Sequence, residues 1–190
     1  MPERCAWAQN HPLLQSYHDE EWGVVTRDRG RLYEFLVLEG AQAGLSWLTV
    51  LKRRDAYRDA LAGFDPDIVS RWDEGEVERL LGFPGLIHNR AKIASHLRNA
   101  RHFLAVEDEF GGFDQYLYQW TEQQVIVHRY ESERQVPATD ALAQAMSRDL
   151  VKRGFGFVGP TICYSYLQAI GLVMDHVTGC FRFHELTSPI

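Results

Sequence analysis

The sequence predicts an all-α fold. Apolar residues recur at three- and four-residue spacing along most of the chain. Helix start and stop signals bracket these stretches. Period-two alternation is confined to a single candidate strand, Gln124 to His128.

The elements run in order. Leu32, Phe35, Leu36 and Glu39 share one helical face, and Leu45, Leu48 and Leu51 or Lys52 continue the spacing in the next segment. Asp65-Pro66 reads as an N-cap acceptor followed by proline at the first helical position. Asn89 to Phe103 carries a stripe of Ile93, Leu97, Ala100 and Phe103. Thr139 can cap a helix bearing Leu142, Met146 and Leu150, and Gly154 is a natural stop after it. Pro160 to Val173 reads as a further helix.

The chain has 190 residues, 45% hydrophobic and 24% charged. That supports one domain, 1–190, with two helical lobes around its own core, and excludes a mainly disordered chain. No apolar run approaches the roughly 18 residues of a membrane span, and the N-terminus lacks the layout of a secretory signal. Three cysteines are too few for a disulfide scaffold. A reducing cytoplasm, with thiols free or metal-bound, is therefore expected. A net charge of −6 argues against binding nucleic acid through a wholly basic face. Local basic patches are still available at Lys52-Arg53-Arg54, at Arg90, Lys92, Arg98 and Arg101, and at Lys152-Arg153, unless these are ordinary solvated helix faces.

Three constellations bear on chemistry. Gly154, Gly156 and Gly159 match the spacing of a dinucleotide-binding loop, and Asp175 lies about 20 residues on, as a ribose-binding acid would. The context fails, because a helix precedes the glycines and no βαβ unit is present. No nucleotide cofactor is expected. The glycines read instead as a hairpin between two helices, either an ordinary turn or a grip whose amides hold a DNA phosphate. Second, Cys5, His18, His176 and Cys180 are two Cys/His pairs at opposite ends of the chain. They are either unrelated or the four ligands of one tetrahedral, closed and therefore structural zinc site. Cys163, in an apolar helix, reads as a small core residue. Third, Trp7, Tyr17, Trp22 and Trp47 gather around Glu39 in sequence. They form either plain core or an aromatic pocket with an acid in it. A carboxylate in so apolar a stretch needs a polar or cationic partner, and a flat cationic ring would serve.

Five separated segments carry a resemblance. Arg4-Cys-Ala-Trp7, Tyr17-His-Asp-Glu-Glu-Trp22-Gly, Leu38-Glu-Gly-Ala-Gln-Ala-Gly-Leu-Ser-Trp47, Lys152-Arg-Gly-Phe-Gly-Phe-Val-Gly159 and Ile162-Cys-Tyr-Ser-Tyr166 closely resemble the 3-methyladenine DNA glycosylase I family of bacterial repair enzymes. The resemblance runs from about Arg4 to Cys180. It implies the helix-hairpin-helix glycosylase fold, with one structural zinc ion held by Cys5, His18, His176 and Cys180. It implies that Glu39 and Tyr17 recognise the methylated base and that Trp47 stacks on it, with Trp7 and Trp22 as further pocket aromatics. It assigns Gly154, Gly156 and Gly159, with Lys152 and Arg153, to the DNA backbone. The chain departs from the family pattern at Met174, where an asparagine is usual, and at Leu14, where some relatives carry tyrosine.

The implied partner is double-stranded alkylated DNA, bound by a monomer. The implied reaction is hydrolysis of the 3-methyladenine glycosidic bond after base flipping, with no lyase step. Asp175 abuts a zinc ligand and is expected to support or cap it rather than to catalyse. The rival reading is a zinc-stabilised damage-binding module that releases no base.

Overall fold

A computed structural model describes residues 3–187. Its helices are α1 (Pro12–Glu20), α2 (Arg29–Gln42), α3 (Trp47–Leu51), α4 (Arg54–Ala60), α5 (Pro66–Val69), α6 (Glu74–Leu81), α7 (Arg90–Phe110), α8 (Phe113–Gln119), α9 (Ala141–Lys152), α10 (Pro160–Ala169) and α11 (Phe181–Thr187). Two short strands, β1 (Ile126–Val127) and β2 (Val173–Met174), pair in parallel, with Ile126 opposite Val173. The helical expectation holds, and the strand read at 124–128 contracts to two residues.

Most helices start where a short polar side chain can accept from an otherwise unpaired amide. Asp28 accepts from Arg31 N at 2.8 Å, Asp65 from Asp67 N at 2.9 Å and Asn89 from Lys92 N at 3.1 Å. At α9 the cap is Asp140, which accepts from Ala143 N at 2.7 Å, and not the predicted Thr139, whose hydroxyl is buried without a partner. The helix starts one residue later than its apolar spacing implied.

Helix α2 is the centre of the fold. Leu32 to Ala41 are all buried, so the helix meets neighbours on every side. Tyr33 donates to the His96 carbonyl of α7 at 2.9 Å, and Tyr166 of α10 donates to the Leu32 carbonyl at 3.0 Å. Buried Glu34 accepts from Arg31, Arg54 and Arg58 at 2.7–3.0 Å, tying α2 to α4. Arg54 and Arg31 also bond Glu21, just beyond α1.

Two helix boundaries differ from expectation. Leu45 lies outside α3, 40% exposed, because the chain turns at Gly44 with φ +75°. Helix α10 stops at Ala169, and Gly171, with φ +77°, turns the chain so that Val173 enters β2. The segment between α9 and α10 is a tight turn as predicted. Gly154, at φ +98°, adopts a backbone that other residues resist. Phe155 N then closes on the Leu150 carbonyl at 3.0 Å.

The cap assignment at α9 is testable by thermal denaturation. Asp140→Ala is expected to cost about 1 kcal/mol, or about 2–4 °C in Tm for a chain this long. Thr139→Ala, which removes no bond, is expected to leave Tm unchanged or slightly raised.

Candidate active site and metal centre

The site is a cavity of about 320 Å³ lined by Trp7, Tyr17, Trp22, Glu39 and Trp47, with Cys5, Gln42, Glu133, Val136, Ser165, Gln168 and Asp175. That volume lies at the small end of ligand pockets and suits a single flat ring system. All five residues expected for the pocket therefore meet in one place. Tyr17 comes from α1, Glu39 from the last turn of α2, and Trp47 opens α3. Trp7 sits in a single helical turn, Ala6–Ala8, and Trp22 follows α1. The rings contact one another edge-on or tilted: Tyr17 to Trp47 at 5.1 Å between centroids, Trp7 to Trp22 at 5.1 Å and Trp7 to Tyr17 at 6.2 Å.

Glu39 is 3% exposed, and its Oε2 has no hydrogen-bond partner among the described residues. Burial pushes its carboxyl up to about 8. Burial thus favours the protonated acid, in keeping with a carboxylate that the sequence placed in an apolar stretch without a visible partner. Trp47 Nε1 is likewise buried and unpartnered. Burial, and then the neighbouring Glu39, raise the Tyr17 phenol well above its usual range. The cavity therefore presents polar groups that the protein itself leaves unsatisfied, which is costly unless a ligand completes them.

The far wall was not legible from the sequence. Asp175 is buried and accepts from His128 Nδ1 at 2.7 Å, Tyr164 OH at 2.6 Å and Gln168 Nε2 at 2.7 Å. It organises β1, α10 and its own segment. Glu133 accepts from the Trp7 amide at 3.2 Å and holds that aromatic wall in place. Leu14 packs half-buried on the core and is not among the lining residues. Met174 is buried in β2, where its carbonyl accepts from the His128 amide at 3.2 Å.

Cys5, His18, His176 and Cys180 converge from both ends of the chain, fully buried, with donor atoms within 4.8 Å of one another. Cys180 Sγ lies 3.4 Å from His18 Nε2 and 3.6 Å from His176 Nδ1, and Cys5 Sγ lies 3.7 Å from His176 Nδ1. A tetrahedral zinc with ordinary Zn–S and Zn–N bonds places sulfur and nitrogen about 3.5 Å apart. The outer ring nitrogens are occupied: His18 Nδ1 meets Asp19 Oδ1 at 2.8 Å, and His176 Nε2 meets the Trp22 carbonyl at 2.9 Å. Those bonds turn Nε2 of one ring and Nδ1 of the other toward the sulfurs, the arrangement a metal's ligand set requires. The Cys180 thiol is held well below its ordinary range, first by Cys5 and then by the two histidines, while Cys180 and burial push Cys5 up. The four residues fit a divalent soft-to-borderline metal. Cys163 is separate: it is buried in α10, donates to the Val158 carbonyl, and burial pushes its thiol up to about 12.

Between α9 and α10 the turn carries Gly154, Gly156 and Gly159, and Asn99 of α7 brackets Gly156 through both its amide and its carbonyl, at 2.8 and 2.9 Å. The Lys152 side chain is exposed and makes no hydrogen bond or ion pair among the described residues, as is true of the Lys52 and Arg98 side chains. Arg153 differs from the exposed cation expected there. It is engaged with Asp149 at 2.6 Å and Glu109 at 2.6 Å, over the Phe110 and Tyr116 rings. Arg54 and Arg90 are also paired, and Arg101 donates to the Ser70 and Trp72 carbonyls.

A sequence model of the methyladenine glycosylase family matches residues 7–183. The chain is 45% identical to DNA-3-methyladenine glycosylase 1 of Escherichia coli, over 94% of this chain and 95% of that one. It is 38% identical to DNA-3-methyladenine glycosylase of Haemophilus influenzae, over 95% and 97%. A solved structure of 3-methyladenine DNA glycosylase I from Staphylococcus aureus superposes with a TM-score of 0.91 at 34% identity, covering 94% of this chain and 95% of that one. A family-specific pattern spanning nearly the whole chain, with the same fold beneath it, places this chain in the methyladenine glycosylase family.

Proposed function

We infer that the protein is a DNA repair glycosylase that releases 3-methyladenine from alkylated duplex DNA. The observation that carries the reading is the buried, unpartnered Glu39 carboxyl among Tyr17, Trp47, Trp7 and Trp22. The Staphylococcus aureus relative recognises 3-methyladenine. A base methylated at N3 is cationic in DNA and leaves as a neutral purine, so its bond breaks without a general acid. Ordinary glycoside hydrolysis instead uses a paired acid and base.

Catalysis is then a matter of selective binding. The nucleotide leaves the stack at a cost of a few kcal/mol and enters the cavity. Trp47 stacks on it, and Tyr17 and Glu39 meet its edge. Glu39 gives up its proton to solvent as the cation arrives, because only a positive charge offsets the burial of an ionised carboxylate. Neutral adenine brings no such charge and is rejected. The C1′–N9 bond breaks with its electron pair going to the base, which departs as neutral 3-methyladenine. Water adds to C1′ and loses a proton to solvent, leaving an abasic site. No lysine lies among the cavity's lining residues to form a Schiff base with the sugar, so the enzyme is monofunctional. The turn amides at Gly154, Gly156 and Gly159, with Lys152, hold the DNA backbone as a helix-hairpin-helix grip. Arg153, already paired, shapes that turn instead of contacting DNA. Zinc held by Cys5, His18, His176 and Cys180 supplies a closed cross-link between the chain's ends. The enzyme works as a cytoplasmic monomer.

Incubating the protein with methylated duplex DNA and separating the products by chromatography tests the reading. Free 3-methyladenine is expected; binding without release supports a damage-binding module instead. Glu39→Gln and Trp47→Ala are each expected to lower release by about tenfold or more. Near-wild-type rates in both remove these residues from the mechanism.

The raised Glu39 carboxyl sets a pH dependence. In the free enzyme the ionised fraction passes one half at about 8, so kcat/KM for the cationic base rises with pH through that point and levels above it. Glu39→Gln is expected to abolish that limb. For stability the sign is opposite. The folded state holds a proton that the unfolded chain loses from 4.5 upward, so this contribution is whole below 4.5 and lost as pH rises through about 8. Thermal melts of Glu39→Gln are therefore expected to gain on wild type as pH rises across that window.

Zinc acts on folding in this reading. Cys180→Ser is expected to lose the bound metal by elemental analysis and to lower Tm more than it lowers activity per folded molecule. A wild-type protein purified without zinc would count against the site.

A further inference from the structure

Lys92 is the buried cation that the mechanism does not use. It sits in the first turn of α7, 5% exposed, and its ammonium makes no bond to a carboxylate among the described residues. Its Nζ donates to the Ala41 carbonyl at 2.9 Å and the Ala43 carbonyl at 2.6 Å. Both carbonyls belong to the end of α2, where the last helical oxygens lack intrahelical partners and carry partial negative charge.

That helix end leads directly to Trp47. Ala43 leaves the helix at φ −45°, ψ 114°, and Gly44 turns at φ +75°. Ser46 then caps α3, accepting from Thr49 N at 3.2 Å, and Trp47 is the first residue of that helix. Glu39 and Trp47 thus stand on either side of one turn, residues 43–46, and the geometry of that turn decides whether acid and indole face the same cavity. The same face of α7 reaches the other functional loop. Asn99, seven residues on, brackets Gly156. Gly40, beside Glu39, packs against Phe157 of that loop, where a Cβ would meet the Phe157 Cβ at 3.5 Å.

We propose that Lys92 is a positioning residue for base excision: by holding the Ala41 and Ala43 carbonyls, it sets the turn that aligns Glu39 with Trp47. Asn99 sets the 154–159 turn from the same helix. The proposal rests on the reading that Glu39 and Trp47 receive the flipped base. A lysine is suited to the task because it offers three donors on a long stem. A buried lysine is costly unless its donors are used, so its place here is tied to those carbonyls.

The test compares wild type with Lys92→Met, which keeps the stem and removes the donors, and Lys92→Gln, which keeps a shorter donor. Release of 3-methyladenine from methylated duplex DNA is measured per folded molecule, alongside amide hydrogen exchange. Lys92→Met is expected to lower kcat by about a hundredfold, the scale of a misplacement near 1 Å, with KM for DNA little changed. Lys92→Gln is expected to fall between, and it carries the comparison if the methionine chain does not accumulate. Exchange at residues 43–46 should quicken while amides of α10 stay protected. A kcat equal to wild type in either folded variant overturns the proposal. So does unchanged exchange at 43–46, a readout that needs no substrate. A wild-type chain that releases no base would instead overturn the glycosylase reading and leave the exchange result to decide on Lys92.

Discussion

A carboxyl group buried with one oxygen unsatisfied is the constraint to which the rest of the structure answers. Glu39 sits in the last turn of a helix whose neighbours cover it on every side, and no cation among the described residues bonds that oxygen. Three arginines, Arg31, Arg54 and Arg58, are instead engaged with Glu34 on the same helix. One turn of α2 thus separates a fully paired acid from an unpaired one. The first ties helices together. The second stores a mismatch worth several kcal/mol, which a positively charged ring can relieve and a neutral one cannot. In the proposed reading, selectivity for a cationic base arises from what the protein withholds from that carboxyl.

The metal centre and the pocket are two faces of the same chain segments. Cys5 points to the cluster and Trp7, two residues on, to the cavity. Tyr17 and His18 divide in the same way, and the Trp22 carbonyl holds the His176 ring while its indole walls the pocket. Gly23 comes next with φ +79°, and a Cβ there would press on that ring at 3.0 Å. A metal ion held by the four Cys/His residues would fix three aromatic walls without occupying the cavity. It would do so where the N-terminal segment has only a short 3₁₀ turn of its own to hold it.

Much of this could be read in the amino acids, for identifiable reasons. The helices were legible because their apolar periodicity is local, and Asp65 and Asn89 mark starts by their own chemistry. The aromatic and acid residues of the pocket, and the four Cys/His residues, were legible as sets. What joined them was packing between distant segments. The Asp175 wall escaped because its partners lie on two pieces of chain distant from each other in sequence, His128 just after β1 and Tyr164 and Gln168 on α10. Thr139 and Asp140 are both acceptable caps, and only the observed bond to Ala143 distinguishes them. Lys92 looked like one cation of a solvated face, yet it lies on the buried side of α7. The ionisation of Glu39 was legible only in part, since it depends on the absence of a partner, which no motif records.

The allocation of positive charge explains how an acidic protein can work on DNA. Most arginines in the predicted basic clusters are committed internally: Arg54 to Glu21 and Glu34, Arg90 to Glu78, Arg153 to Asp149 and Glu109. Lys52, Arg98 and Lys152 remain exposed and unpaired among the described residues. Arg98 lies over Gly156, so its free guanidinium stands beside the same turn as Lys152. Few free cations in those clusters mean few counterions released by contacts made there, and hence a shallow contribution to the salt dependence of affinity. The grip proposed for that turn would be weak and indifferent to sequence, which suits a search along mostly undamaged DNA. On the proposed function, discrimination is left to the cavity, where one charge on the base decides whether an otherwise unfavourable carboxylate can form.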